Sequence, residues 1–214
     1  MLWLLLACTD PGPSSQTGTV PTSCAVGVDP HTIEEAAERF DGLTEPTIPC
    51  FLASLQRPLQ IMAVASVTSA QPGSSWSPRF LIFTDDLVVS AVPEGDGAHL
   101  LEFGEWTVRG TRTKKGELVF PLVEGHADPY THLLDGEGTT CGLCHPREEP
   151  DAPDDAFSSD AIEPTIGSRV SLDDAQWEAD ACDPTVEPER CAILRAVMGS
   201  GDVVHASWPD PFAR

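Results

Sequence analysis

The apolar positions change period along the chain. Ile33, Ala36, Ala37 and Phe40 recur at helical spacing. Asp29 suits a cap, Pro30 a first helical position and Gly42 a stop, so a helix is predicted here. From Arg57 to Val123 the pattern turns to strands. Leu59–Thr68 is an apolar, partly alternating run, and Phe80–Thr84 and Leu87–Val92 flank Asp85-Asp86 as a hairpin. His99–Phe103, Trp106–Thr113 and Glu117–Val123 follow, with Gly104 and Lys114-Lys115-Gly116 read as turns. Six short strands with tight turns predict a small antiparallel β-sandwich or barrel-like module. Helical signals return late. Ser171-Leu172-Asp173-Asp174 resembles a capped start, running through Trp177 toward Ala181. Glu187-Pro188-Glu189-Arg190 opens a second helix, striped by Leu194, Val197 and Met198 and ended by Gly199. Between them Pro146–Asp160 is acidic and proline-rich and reads as a loop without calcium-loop order. The tail HASWPDPFAR is extended, and its Trp208 and Phe212 are expected to pack on the core or on a cofactor edge.

The fold class is therefore α+β: a helix plus β-rich module over 24–124, then a small helical segment over 125–214. With 12 Lys and Arg against 34 Asp and Glu, the formal charge is −22. That balance argues against nucleic acid, which demands clustered basic side chains. A 41% hydrophobic fraction is enough for a core. Among the scarce basic residues, Arg109, Arg112, Lys114 and Lys115 lie in the strand region. They read as a solvated, charge-protected edge strand or as a docking patch for an acidic partner. No G-x-S-x-G, P-loop, H-E-x-x-H or G-x-G-x-x-G occurs.

Residues 1–8 read MLWLLLAC. Leu5-Leu6-Ala7-Cys8 resembles the lipobox of bacterial lipoproteins. The resemblance implies cleavage before Cys8, diacylglycerol on its thiol, and an envelope location, periplasmic or outer-membrane. A secretory signal with an incidental cysteine is the alternative. Residues 9–23 (TDPGPSSQTGTVPTS) bury little apolar surface and suit a flexible linker between lipid and globule.

Seven cysteines also point to an oxidising compartment or a cofactor. Cys24 and Cys50 bracket the first helix and are expected to pair, as are Cys182 and Cys191 across a small loop. Cys141-Gly142-Leu143-Cys144-His145 is C-x-x-C-H, which resembles the attachment site of c-type cytochromes. Two thiols at that spacing reach the two vinyl groups on one haem edge, and the next histidine turns under the ring. Random composition would give ~0.006 such matches in a chain like this. The resemblance implies haem c held by Cys141 and Cys144, with His145 as proximal iron ligand. It covers this motif and, loosely, the helices after it. A structural disulfide, a zinc site or a redox dithiol at the same cysteines are the alternatives.

For the sixth iron position Met198 is the first candidate. His205, His126, His132 or no protein ligand are the others. The expected function is one-electron transfer by an envelope lipoprotein, without bond-breaking catalysis. An open distal site would add small-ligand or peroxidase-like chemistry. The dense negative charge implies a redox partner with a basic docking face. The rival reading is a cofactor-free, disulfide-stapled surface lipoprotein acting as a binding or assembly module.

Overall fold

The structure is a computed structural model that describes residues 24, 27–66, 69–122, 127–151 and 155–212. The lipobox with Cys8, the linker and His126 lie outside the described residues.

Thr32, not Asp29, caps the first helix: its side chain accepts from the Glu35 amide, and α1 runs Ile33–Gly42. Asp29 instead accepts from the Gln56 amide at 2.8 Å, pinning the lead-in to the end of the next helix. That helix, α2 (Ile48–Ser54), is capped by Thr47. Sequence periodicity does not single it out, because seven residues give barely two turns. Then come β1 (Leu59–Val64), β2 (Arg79–Phe83), β3 (Leu87–Ala91), β4 (Leu100–Val108) and β5 (Arg112–Val119). A small hairpin, β6 (Leu134–Asp135) and β7 (Gly138–Thr139), stands apart. The chain continues through β8 (Glu149–Asp151), β9 (Ala156–Asp160), β10 (Arg169–Val170), α3 (Leu172–Ala181), α4 (Pro188–Met198) and β11 (Val203–His205). Both late helices sit where the sequence puts them.

The molecule is α+β, built on one large, mostly antiparallel sheet of nine strands in the order β10-β1-β2-β3-β4-β5-β9-β8, with β11 parallel beside β1. The expected sandwich or closed barrel does not form; the sheet is open. Strands from both sides of residue 124 join it, and Pro146–Asp160, expected as a loop, supplies the hairpin β8–β9 that extends it past β5.

The strand boundaries differ most at β4 and β5. Gly104 and Gly116 are not turn residues but lie inside paired strands, Gly104 opposite Lys115 and Gly116 opposite Phe103. The reversal comes later, where the Thr111 amide donates to the Val108 carbonyl. Gly116 is needed for close approach: a Cβ there would lie 2.7 Å from Ile33 Cγ2 of α1. Because strand side chains alternate, Lys114 and Lys115 face opposite sides. Both are buried, and neither is on an edge strand, since β9 covers β5. This corrects their reading as a solvated edge or docking patch.

One face carries Ile61, Ala63, Phe80, Ile82, Val89, Leu101, Phe103 and Leu118, packed under the helices. Phe51 of α2 stacks on Phe40 of α1 with centroids 4.3 Å apart and meets Phe103 edge-on. Lys114 joins this face, reaching Glu34 of α1 at 2.9 Å and Glu105 at 3.2 Å. Cys24–Cys50 and Cys182–Cys191 are disulfides, as expected; the second lies in this same core. The opposite face holds Met62, Val64, Leu81, Phe83 and Val88, with Trp106 and Trp208 against them. Trp208 thus packs back as expected, whereas Phe212 is exposed.

Burial pushes the Glu34 carboxyl up, but bonds from Tyr130 and Lys114 outweigh it and hold the pKa at about 2, below the ordinary 4.5. A depressed carboxylate stabilises the fold above its unfolded pKa, and the gain is lost as pH falls toward the folded value. In urea unfolding, Glu34→Gln should therefore be less stable than the parent at pH 6. The gap should close between pH 4.5 and about 2. The effect should be modest, because Glu34 is 43% exposed to screening solvent.

Candidate functional site

The C-x-x-C-H motif sits on the non-helical face of the sheet. The hairpin β6–β7 delivers the chain into a single 3-10 turn over Thr140–Leu143, capped by Thr139, whose hydroxyl accepts from the Cys141 amide. The Cys141 carbonyl accepts from the amides of Cys144 at 3.1 Å and His145 at 2.9 Å, so the motif closes on itself. It is thus carried on a strand-to-strand connection, not within the helices of the second segment. Beyond it the backbone turns at Arg147, which has φ 57° and pairs with the Asp160 carboxylate at 2.8 Å. The Asp160 amide in turn donates to the Pro146 carbonyl. The strand pair β5–β9 therefore fixes where His145 lies.

His145 Nδ1 is 2.7 Å from the Asp160 carbonyl and 3.5 Å from Lys115 Nζ. A carbonyl only accepts, so Nδ1 carries the hydrogen and Nε2 is left with its lone pair. This is the tautomer that a metal-ligating histidine needs, oriented by a backbone acceptor. Burial first, and then the adjacent Lys115 ammonium, push the His145 pKa down to about 4. The ring is neutral at any pH near 7.

Lys115 comes up from β5 and donates to Thr113 Oγ1 at 2.6 Å. Burial lowers its pKa to about 8, opposed by Cys141 and Glu102. Glu102 of β4 is bound by Arg79, which also reaches Ser90 at 2.6 Å; burial outweighs Arg79 and raises the carboxyl's pKa. Cys141 is half-buried, and its thiol is pushed up to about 11, chiefly by desolvation, so it stays neutral. Cys144 is exposed. Leu143 between them is 84% exposed.

Both motif cysteines are free thiols, while the other four described cysteines are paired. Their donor atoms do not converge with His145. Among the described residues, the one three-donor cluster is Cys182, Glu187 and Cys191, where the two sulfurs are already joined. A tetrahedral zinc site at Cys141, Cys144 and His145 is therefore not assembled. Of the two thiols only Cys144 faces outward; Cys141 is half-buried, and His145 is held at Nδ1 by the Asp160 carbonyl.

The distal candidates are not brought to this place. Met198 is 4% exposed in the core under the helices, on the other face of the sheet from His145. Its place on the α4 stripe is that of a packing residue, which corrects its candidacy as iron ligand. His205 pairs with Ile61 on β11, and four strands, β1 to β4, lie between it and β5. His132 is on the motif's face, with Nε2 3.1 Å from Glu117 Oε1. The participants missed by sequence reading are Lys115, Thr139, the Asp160 carbonyl and Glu148, whose carboxylate accepts from the Thr139 amide. Thr139, two residues before Cys141, had a local signal as a cap; the others had none.

No protein-family model, curated protein or solved structure matches the chain.

Lys115 should be felt directly at His145. In the full chain, the His145 ring resonance should titrate near pH 4. Lys115→Met should move that midpoint upward, because the repelling cation is gone. A midpoint unchanged in the variant would remove Lys115 from the site.

Proposed function

We propose that this chain is an envelope lipoprotein carrying one covalently bound haem c and working by one-electron transfer. The observation that carries the reading is the C-x-x-C-H turn itself: two unpaired thiols and a neutral histidine whose Nδ1 is occupied by a carbonyl. In a chain that otherwise pairs its described cysteines, a purely structural C-x-x-C would be expected to close. Cys141 and Cys144 would hold the group through thioethers, and His145 Nε2 would ligate its iron. When bound, the haem supplies a couple between Fe(III) and Fe(II). The protein's own part is to orient His145 through the Asp160 carbonyl and to keep its ring uncharged. Lipid on Cys8 would tether the globule through the 9–23 linker.

The distal position takes neither Met198 nor His205 in this reading. Leu134 and Leu143 are exposed, as are Asp135 and Glu137 of the adjoining hairpin, and a redox partner with a basic face suits such a surface.

The test is expression of the full chain together with haem-attachment machinery. The expected result is a covalent mass increment of one haem and a reduced-minus-oxidised visible difference spectrum. Met198→Leu should leave that spectrum unchanged. A colourless product with a mapped Cys141–Cys144 bridge would overturn the proposal and favour a cofactor-free binding or assembly lipoprotein.

A further inference from the structure

One contact in the motif has no part in holding a cofactor directly. Glu148, three residues after His145, folds back over the turn. Its Oε2 accepts from the Thr139 amide at 2.8 Å, and its Oε1 accepts from the Thr139 hydroxyl. That same hydroxyl oxygen accepts from the Cys141 amide at 3.1 Å. A chain of bonds thus runs from Glu148 through Thr139 to Cys141. Thr139 is buried, which strengthens each link against competition from water.

The two glycines in this stretch make room for that carboxylate. A Cβ on Gly142, inside the motif, would lie 2.8 Å from Glu148 Oε2, and one on Gly138 would collide with the same oxygen. Gly142 has no positive φ to account for it. A side chain there would push the Glu148 carboxylate aside.

We infer that Glu148 is the positioning residue of the C-x-x-C-H turn, holding Cys141 sheltered through Thr139 while Cys144 faces outward. The inference deepens the reading of this site as the haem-bearing turn, but it is tested on the thiols alone. Without the clamp the capping Thr139 hydroxyl is no longer held by the carboxylate, and Cys141 is freed to move. With it, the two sulfurs are unequal in access, and the spacing from Cys141 to His145 is set before any ligand arrives.

The experiment uses the full chain made without haem attachment, with reductant removed, and follows alkylation by iodoacetamide with peptide mass mapping of each cysteine. In that reaction the thiolate sulfur bonds the methylene carbon, iodide leaves, and the thiol proton goes to solvent. In the parent, Cys144 should label about tenfold or more faster than Cys141, following its exposure. Glu148→Ala and Gly142→Ala should each speed Cys141 by about fivefold or more while Cys144 changes less than about twofold. Thr139→Val should match them, and Thr139→Ser, which keeps the hydroxyl, should restore the parent rates. Unchanged Cys141 labelling in Gly142→Ala and Glu148→Ala overturns the inference, as does a Thr139→Ser variant that behaves like Thr139→Val. Should Glu148→Ala fail to fold, Gly142→Ala decides, since it displaces the carboxylate without removing it. Failure of the haem reading would instead appear as a colourless matured product whose motif thiols, once any Cys141–Cys144 bridge is reduced, still label in this pattern.

Discussion

Lys114 and Lys115 are neighbours in the chain and face opposite sides of the same sheet, and both sides of the molecule are organised around them. A buried ammonium persists only when paired and hydrogen-bonded. Lys114 meets Glu34 and Glu105, which draws α1 onto the sheet. Lys115 meets Thr113 and lies next to His145, with Glu102 and Asp160 in its field. Strand β5 therefore couples the packing of the helices to the setting of the C-x-x-C-H turn. A one-residue slip in the β4–β5 register would exchange the two lysines and strand each on the wrong face.

This coupling explains why the fold was only half legible. The strand runs at Leu59, Phe80 and Leu87 and both late helices are readable, because burial on one face leaves its period in the apolar residues. What defeats the pattern is close approach. Gly104 and Gly116 carry the composition of turns, yet Gly116 answers a steric demand made by Ile33 some eighty residues earlier in the chain. Lys-Lys-Gly looks like a polar reversal because the partners that neutralise it, on α1 and in the motif turn, are remote in sequence. The acidic stretch after the motif was misread for a similar reason. Arg112 reaches Glu149 and the Ser158 carbonyl, so charge pairing with β5, not apolar content, makes that hairpin part of the sheet.

The candidate site shows the same division. The five motif residues are a local signal, and so is the pairing of the other cysteines in two sequence-local sets. The orientation of His145 is not, since its partner is a backbone carbonyl at the end of β9, which any residue type would supply. Met198 illustrates the converse error. Its position as the one methionine after the motif is a fact of sequence order, while its role is decided by the α4 face that turns into the core.

The cysteines divide by location as well as by state. Cys182 and Cys191 close under the helices, where they join α3 to α4, and Cys24 ties the start of the described chain to α2. Cys141 and Cys144 lie across the sheet. Oxidation of a dithiol begins with a thiolate, and Cys141 forms one reluctantly because burial holds its pKa near 11 (the nearby Lys115 lowers it only in part). The turn also takes the two sulfurs into different surroundings, one half-buried and one exposed. Such a pair must be kept from closing if the thiols are to serve another purpose. The half-burial of one sulfur and the capped turn hold the two thiols in unlike places, while burial of the imidazole and the adjacent Lys115 keep His145 uncharged.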